Sequence, residues 1–352
     1  FWKRQGFAQW LNRVTVPTLN VAGWWDQEDF YGPITIYELL ERHDKENKNF
    51  LVVGPWNHGG WSRGDGRKLG PVDFGSETST FYRKEVQAKF LAHYLKDKPS
   101  PNLPEALTFQ TGANQWVRND AWPPKQNVTA RALYFQEKGG LTFEPPKDAS
   151  AFDSYISDPD NPVPYRQRPI LLRSGWSTWQ VNDQRFASNR PDVLSWETEV
   201  LMDDITVSGK IIANLFASTS GTDSDWIVKL IDVYPEGYTA DPTMSGYQLM
   251  IAGDVMRGRY LKSIEKPQPI PANTVQHYKI GFPANDHVFK KGHRIKVQVQ
   301  SSWFPLIDRN PQKFVPNIYL AKENDFQKAT QRVYRMGKQA SYITLPVVEA
   351  AR

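Results

Sequence analysis

The sequence of 352 residues contains no cysteine, no long apolar segment and no block of like charges. Without cysteine the chain has no disulfides or thiolate chemistry, and its cysteine content does not indicate whether its cellular compartment is oxidising or reducing. A membrane-spanning helix needs about 18 or more consecutive apolar residues, and no such run occurs. We therefore expect no membrane association. The chain does not begin with methionine and resembles part of a longer polypeptide, so a signal segment could precede Phe1, and we favour a periplasmic or secreted location over a cytoplasmic one.

The chain has no large excess of positive or negative charge, because it contains 43 basic and 38 acidic residues. Nucleic-acid binding usually needs Lys and Arg clustered on one face, so we expect no nucleic-acid partner. Hydrophobic residues make up 39% of the sequence and aromatic residues 13%. This is the composition of a folded protein, and the length favours two domains.

The first third of the sequence alternates short apolar runs with helical patterns. Residues 17–22 and 50–53 are apolar runs closed by glycine, which is typical of buried parallel strands. Residues 29–43 and 76–95 carry apolar side chains at helical spacing. Alternation of strand and helix predicts a parallel sheet with helical crossovers, so we assign residues 1–125 to an α/β domain.

The pattern changes near the proline-containing segment 99–104, and residues 122–124 (WPP) are typical of a linker. Short alternating runs follow, separated by turn residues, at the spacing of a β-sandwich. They cover residues 132–135, 196–201, 205–216, 226–234, 247–252, 275–280 and 293–300. We therefore predict an α/β plus all-β chain whose residues 126–352 form an antiparallel double-sheet domain of jelly-roll type.

Two polar segments follow the predicted buried strands directly. These are residues 23–29 (GWWDQED) and residues 54–59 (GPWNHG). In open α/β sheets, ligands bind beyond the carboxyl ends of the strands, so Asp26 and His58 should emerge at the same edge. An acid followed by a histidine is the chain order of the last two members of a Ser, Asp, His triad. In such a triad the histidine moves the proton and the buried carboxylate orients it.

The nucleophile of such a triad is missing from the sequence. It would be a serine in a G-x-S-x-G turn upstream of Asp26, and no G-x-S-x-G occurs. The nearest approach is Gly175-Trp176-Ser177, where Trp179 stands in place of the last glycine. We expect the serine to come from sequence that precedes Phe1.

The motifs GWWD (residues 23–26) and GPWNH (residues 54–58) resemble the acid and base motifs of a known family. It contains cocaine esterase, α-amino acid ester hydrolases, relatives of the glutaryl-cephalosporin acylase type and X-Pro dipeptidyl peptidases. The similarity continues through residues 223–235, 253–259 and 292–311, so it covers essentially the whole chain. The resemblance implies an α/β-hydrolase domain, an inserted helical cap and a C-terminal jelly roll, with Asp26 as triad acid and His58 as base.

The resemblance also implies a substrate class. Residues 26–29 (DQED) are similar to the α-amino acid ester hydrolase branch, in which carboxylates after the triad acid bind the α-ammonium group. Carried over, Glu28 and Asp29 bind the amine, and Trp25 with its tryptophan neighbours could wall an acyl pocket. The expected substrate is a small acyl compound with a free α-amino group. We also expect the chain to associate with the missing N-terminal segment or with a second copy of itself. No cofactor and no metal is expected.

Other interpretations remain open on local grounds. Asp26 could be a helix N-cap followed by dipole-compensating acids, and His58 could be an ordinary loop histidine. Within enzymes, an X-Pro dipeptidyl peptidase is the alternative to an esterase or acylase. Outside enzymes, the chain could be a non-catalytic β-sandwich binding module, for which exposed aromatic rows on one face would be the sign.

Overall fold

The structure is a computed structural model that describes residues 1–147, 151–171 and 175–349. Strands dominate it and helices are few and short, which confirms the predicted β-rich C-terminal part. Within the described ranges, no helix is both long and apolar enough to cross a membrane.

The N-terminal part is built around a four-stranded sheet with the order β1-β2-β5-β6. The β1/β2 and β2/β5 pairs are parallel and the β5/β6 pair is antiparallel. A π-helical segment, Tyr82–Gln87, joins the third and fourth helices. The elements are α1 (Trp2–Gln5), β1 (Thr18–Gly23), α2 (Tyr31–Glu41), β2 (Asn49–Gly54), β3 (Lys68–Leu69), β4 (Val72–Asp73), α3 (Thr78–Phe81), α4 (Ala88–Lys96), β5 (Ala106–Gln110) and β6 (Gln115–Asn119).

The middle parallel strand of this sheet, β2, is buried on both faces. Leu51, Val52 and Val53 of β2 are all buried, so both faces of the strand are covered, as parallel sheets require. Helix α2 crosses from β1 to β2 and buries Ile34 and Tyr37. The predicted helix 29–43 therefore exists, but its start at residue 29 was wrong by two residues.

The C-terminal part contains two larger sheets. One has the order β10-β17-β13-β14. The other has ten strands along the path β16-β11-β20-β12-β18-β19, with β15 on β12, β7 on β20, β8 on β7 and β9 on β18. The elements are β7 (Val128–Phe135), β8 (Leu141–Thr142), β9 (Phe152–Ser157), α5 (Arg185–Ser188), β10 (Leu194–Glu197), β11 (Ile205–Gly209), β12 (Ile212–Thr219), β13 (Asp225–Val233), β14 (Gln248–Arg257), β15 (Gln276–Gly281), β16 (Asn285–Phe289), β17 (Arg294–Gln300), β18 (Ala329–Met336), β19 (Gln339–Ala340) and β20 (Tyr342–Val348).

Short 3₁₀ helices of three or six residues connect many of these elements. They span Ala8–Arg13, Gly60–Ser62, Glu137–Gly139, Trp176–Val181, Pro242–Met244, Gly258–Tyr260, Ile318–Leu320 and Glu323–Asp325.

Strand β13 is the centre of the C-terminal core, and all nine of its residues are buried. Trp226 and Leu230 pack in the large cluster shared with the ten-stranded sheet, where the rings of Trp226 and Tyr278 lie 5.5 Å apart. Ile227 and Ile231 pack on the opposite side in a second apolar cluster. The strand is therefore covered on both faces, and its charged residues Asp225, Lys229 and Asp232 are buried with its apolar ones.

Several strands were not predicted, and one prediction merged two. The strands β5 and β6, between the two proline-containing stretches, were not predicted. Residues 122–124 lie between β6 and β7, outside any helix or strand. The single run predicted at 205–216 is two strands, β11 and β12, because Gly209 has a φ of 127° that breaks the extended chain. Strands β9, β16, β18 and β20 were also missed.

Hydrogen bonds between side chains join the two parts of the molecule. Thr108 donates to one carboxylate oxygen of Asp286 at 2.7 Å, and Gln110 donates to the other at 2.9 Å. The indole N–H of Trp25 donates to the carbonyl of Met250 at 3.0 Å. The sheet that carries Asp26 and His58 is thus held directly against the C-terminal sheets.

Candidate active site

The candidate site lies at the carboxyl end of β1 and β2. The last residues of the two strands, Gly23 and Gly54, are opposite each other in the parallel register. The loops that follow are hydrogen-bonded, because Trp24 N donates to the Gly54 carbonyl at 2.9 Å and Trp25 N donates to the Trp56 carbonyl at 3.0 Å. A Cβ on Gly23 would lie 2.3 Å from the Trp56 carbonyl oxygen, so glycine is required for this close approach.

Asp26 is a buried carboxylate, 4% exposed. Its Oδ1 accepts hydrogen bonds from the backbone N–H groups of Glu28 and Asp29, each at 2.9 Å. Both of its oxygens lie 3.2 Å from Nδ1 of His58. The two amides fix the carboxylate, and the carboxylate fixes the imidazole.

His58 is held by its backbone as well as by its ring. Its N–H donates to Oε1 of Gln27 at 3.2 Å, and its carbonyl accepts from Arg63 at 2.6 Å. Gly59, at φ 69°, turns the chain away immediately afterwards. A carboxylate at Nδ1 places the ring proton there, which leaves the Nε2 lone pair on a side chain that is 38% exposed. Such an imidazole can accept a proton from a neighbouring hydroxyl group.

Glu28 and Asp29 bring two more carboxylates to the same histidine. Oε2 of Glu28 lies 3.9 Å from His58 Nε2, and Oδ2 of Asp29 lies 3.5 Å from His58 Nδ1. Their side chains are 45% and 68% exposed, whereas that of Asp26 is buried. Four of the five residues singled out from the sequence are therefore brought together, with two exposed acids beside the histidine.

Trp25 is the residue that the structure places elsewhere. Its side chain is buried and stacks on Phe74 with ring centroids 5.8 Å apart, and its indole N–H donates to the Met250 carbonyl. It lines a different cavity, between the two parts of the molecule, and not the surface around His58. The neighbouring Trp24 and Trp56 are buried too, so packing accounts for most of the tryptophan cluster.

A segment of the C-terminal part, Trp176–Val181, also reaches this site, which sequence reasoning missed. The indole N–H of Trp176 donates to Oε1 of Glu28 at 2.9 Å. Asn57, directly before His58, donates to the carbonyl of Ser177 at 3.0 Å. The Gly175-Trp176-Ser177 motif stands out in the sequence only as an imperfect nucleophile turn, and no local pattern indicates contacts across about 120 to 150 residues of sequence.

A second group of ionisable side chains lies around Asp232. Its Oδ1 is 2.8 Å from Nδ1 of His293, and its Oδ2 is 3.2 Å from Nε2 of His287. Thr111 contacts the other nitrogen of His287 at 2.8 Å. The two histidines hold the pKa of Asp232 below its ordinary value although burial opposes this. The spacing of His287 and His293 in the sequence does not indicate that they share a partner. Among the described residues, no cluster of three or more His, Asp or Glu side chains is arranged to hold a metal ion.

Family descriptions match both parts of the chain. The X-Pro dipeptidyl-peptidase C-terminal non-catalytic domain matches residues 101–344, and the X-Pro dipeptidyl-peptidase (S15 family) description matches residues 1–60, which include Asp26 and His58. A mostly β chain with an Asp–His pair at the end of a short parallel sheet fits this class. The chain belongs to the family of X-Pro dipeptidyl peptidases, cocaine esterase and α-amino acid ester hydrolases, so the resemblance found in the sequence is confirmed.

Individual relatives cover nearly all of the chain. Cocaine esterase of Rhodococcus sp. (strain MB1 Bresler) is 29% identical over an alignment of 365 positions, which covers 99% of this chain and 59% of that protein. An aminopeptidase structure from the marine sediment archaeon Thaumarchaeota archaeon is 47% identical with a TM-score of 0.96. An α-amino acid ester hydrolase structure is 45% identical with a TM-score of 0.95. Both structures match 99% of this chain, which spans 58% of theirs.

Proposed function

We propose that this chain supplies the acid and the base of a serine-dependent hydrolase or acyl transferase. The observation that carries the proposal is the buried Asp26 carboxylate 3.2 Å from Nδ1 of a half-exposed His58, at the carboxyl end of a parallel sheet. In this proposal residues 1–125 are part of an α/β-hydrolase domain and residues 126–352 are a jelly roll. The nucleophilic serine comes from sequence upstream of Phe1.

The proposed reaction is acyl transfer through an acyl-serine intermediate. Nε2 of His58 takes the proton of the serine hydroxyl as its oxygen attacks the acyl carbon, and His58 then returns the proton to the leaving group. A water or another acceptor releases the acyl group by the same steps. Asp26 stabilises the imidazolium that forms in each half-reaction and does not itself take the proton.

The proposed substrate is an α-amino acid ester, a β-lactam amide or a similar small acyl compound with a free amine. Glu28 and Asp29 support this choice, because two carboxylates beside His58 attract an ammonium group in a partly desolvated site. Trp176 supports it further by fixing one oxygen of Glu28 and leaving the other for a ligand. The names of two relatives, an α-amino acid ester hydrolase and an aminopeptidase, agree with an amine-bearing substrate.

The substrate proposal is tested by Glu28→Gln in the polypeptide that includes the upstream segment. We expect kcat/KM for an α-amino acid ester to fall roughly 10- to 100-fold, the value of one charge-assisted hydrogen bond. The matched ester without the amine should change by less than about twofold. Glu137→Gln, at an exposed glutamate of the C-terminal part, is the control and should change neither rate. Equal loss on both esters would contradict amine binding by Glu28.

An X-Pro dipeptidyl peptidase is the second candidate, and the two family matches favour it. It would use the same Asp26 and His58 and would also bind a free amine. Assaying an X-Pro anilide beside an α-amino acid ester separates the two candidates. A higher kcat/KM for the anilide would favour the peptidase.

Association with a further segment or a second copy is also part of the proposal. Within the described ranges, β1 pairs only with β2, which leaves its other edge open. An open strand edge has unpaired N–H and C=O groups that another strand can pair with. The upstream segment is the occupant that would complete the sheet and the triad together.

A further inference from the structure

The outer side of the ten-stranded sheet has an unusual set of exposed side chains. Along β18 and β20, buried positions alternate strictly with half-buried ones, and β9 alternates in the same way. The side chains of the half-buried and exposed positions therefore share one side of the sheet. We call this side the aromatic face. Its half-buried and exposed members on six neighbouring strands include Tyr134, Phe152, Ser154, Ile156, Phe216, His277, Lys279, Arg332, Tyr334, Tyr342 and Thr344, whereas Asn214 and Ser218 belong to the same side of β12 but are buried.

Four aromatic rings lie in one row of this face, Phe216 with His277 and Tyr334 with Phe152. The register places the members of each couple opposite each other, and the β12/β18 pairing ends one residue before Phe216 and Tyr334, at Ala217 opposite Val333. The rings of Phe216 and His277 are stacked, 4.4 Å apart and 8° from parallel. The ring centroids of Phe152 and Tyr334 are 5.6 Å apart.

Polar contacts hold this row in place. The hydroxyl groups of Tyr334 and Ser218 are 3.0 Å apart. Asn214 contacts Nε2 of His277 at 3.2 Å and Thr344 at 3.1 Å. Rings with fixed positions lose little entropy when they bind a ligand.

A second pair of rings lies one repeat further along the strands. Tyr342 and Tyr134 are opposite each other with their centroids 5.2 Å apart. Asn214 pairs with Tyr342 on one side and with Lys279 on the other, so an amide and an amine extend this second row. Planar rings thus alternate with hydrogen-bonding side chains over several strands.

The charge of the aromatic face has one sign. Lys279 and Arg332 lie on it, and its outward positions on the six strands carry no Asp or Glu. The guanidinium of Arg332 lies 5.6 Å from the ring centre of Phe152, at one end of the aromatic row. A face of this kind complements an anion that also has flat apolar surfaces.

We propose that the aromatic face binds an acidic polysaccharide. The apolar C–H side of a sugar ring packs on an aromatic ring, while its hydroxyl groups bond to side chains such as the exposed Ser154 and the half-buried Thr344. Lys279 and Arg332 would pair with the carboxylates of the polymer. A second copy of the chain is a poorer occupant, because a two-fold pairing of this face would bring its cations together without an acid between them. This site shares no residue with the Asp26–His58 site.

The test is retardation of the full chain in gels that contain acidic polysaccharide. The probes are carboxymethyl cellulose, alginate and polygalacturonate, with hydroxyethyl cellulose as the uncharged polymer that shares the first backbone. We expect retardation by at least one acidic polymer and none by the neutral one. Phe152→Ala and Lys279→Glu should each weaken binding about tenfold, the value of one stacking or charge contact. Raising the salt concentration should weaken it too.

Tyr319→Ala is the matched control, since Tyr319 is an exposed tyrosine outside the aromatic face. It should bind as the wild type does, and circular dichroism should show that all three variants are folded. The proposal fails if no acidic polymer retards the chain, if the neutral polymer retards it equally, or if Phe152→Ala and Lys279→Glu bind like Tyr319→Ala. A change of oligomeric state in Phe152→Ala without polysaccharide binding would assign the face to self-association and would also overturn it.

Discussion

Asp26 combines two roles at the scale of a single residue. Its Oδ1 caps the turn by accepting from the N–H groups of Glu28 and Asp29, as the purely structural interpretation requires. The same carboxylate contacts Nδ1 of His58 with both oxygens. Turn capping and orientation of a histidine are therefore compatible, because a carboxylate has enough lone pairs for both.

Asp26→Asn separates these roles. The amide oxygen can still cap the turn, so we expect the melting temperature to change by no more than about 4 °C. The amide lacks the charge that stabilises the imidazolium and can select the wrong tautomer, so kcat for an ester should fall roughly 10³- to 10⁴-fold in the active polypeptide. Thermal unfolding and steady-state kinetics measure the two effects. A fall in kcat of less than about tenfold would make Asp26 a turn residue only.

The elements that carry the site contain two glycines with different surroundings. A Cβ on Gly23 would meet the Trp56 carbonyl, whereas a Cβ on Gly32, in the first turn of α2, would meet nothing within 4 Å. Gly23→Ala should lower the free energy of unfolding by about 1 to 3 kcal/mol through overpacking. Gly32→Ala is the matched control and should raise it by up to about 1 kcal/mol, since alanine favours the helix.

Urea unfolding of both glycine variants provides the measurement. Gly23→Ala should also displace the loop that carries His58, so the active polypeptide should lose activity beyond its loss of stability. Equal stability of the two variants would mean that the loops after β1 and β2 do not need their close approach.

The sequence predicts elements well where local apolar patterns decide the structure. Strands β1 and β2 are mainly apolar runs that lie in a parallel sheet as expected. Strand β16 was missed because Asn285, Asp286 and His287 give it no apolar pattern. Each of these polar side chains is buried with a distant partner, such as the Thr108 hydroxyl at Asp286. Such partners are far apart in sequence, so periodicity does not reveal them.

The candidate site shows the same division. Asp26 and His58 could be placed together because both segments directly follow apolar strands, whereas Glu28 and Asp29 were singled out by the family resemblance. The contact between Trp176 and Glu28 was not, because it depends on how the C-terminal part packs against the first sheet. The position of Trp25 in its motif suggests the substrate pocket, but its side chain is buried against Phe74.

At the scale of the whole molecule, Lys229 is an exception in the apolar core. It lies fully buried on β13, and its ammonium nitrogen donates to Gln184 at 3.0 Å. Burial lowers the pKa of Lys229 to about 7 from the ordinary 10.5. Between about pH 7 and about pH 10 the side chain of Lys229 is protonated in the unfolded chain but not in the folded chain. The free energy of unfolding therefore rises with pH from about 7 to about 10, and the contribution of Lys229 does not change with pH below about 7.

Lys229→Met should remove this contribution. Relative to the variant, the wild type should gain up to about 1.4 kcal/mol of unfolding free energy per pH unit between pH 7 and pH 9. Urea unfolding of both proteins at pH 6, 7, 8 and 9 measures the difference, which should be constant from pH 6 to pH 7. A difference that stays constant to pH 9 would show that Lys229 is charged in the folded core.

The central claim is that Asp26 and His58 activate a serine supplied by the upstream segment. Labelling with a fluorophosphonate probe tests it most directly, in the polypeptide that includes that segment and in residues 1–352 alone. We predict that the longer wild type labels, that His58→Ala labels at least about 10³-fold more slowly, and that residues 1–352 do not label. Failure of the longer wild type to label under conditions that label a known serine hydrolase would contradict the claim, as would labelling that does not depend on His58.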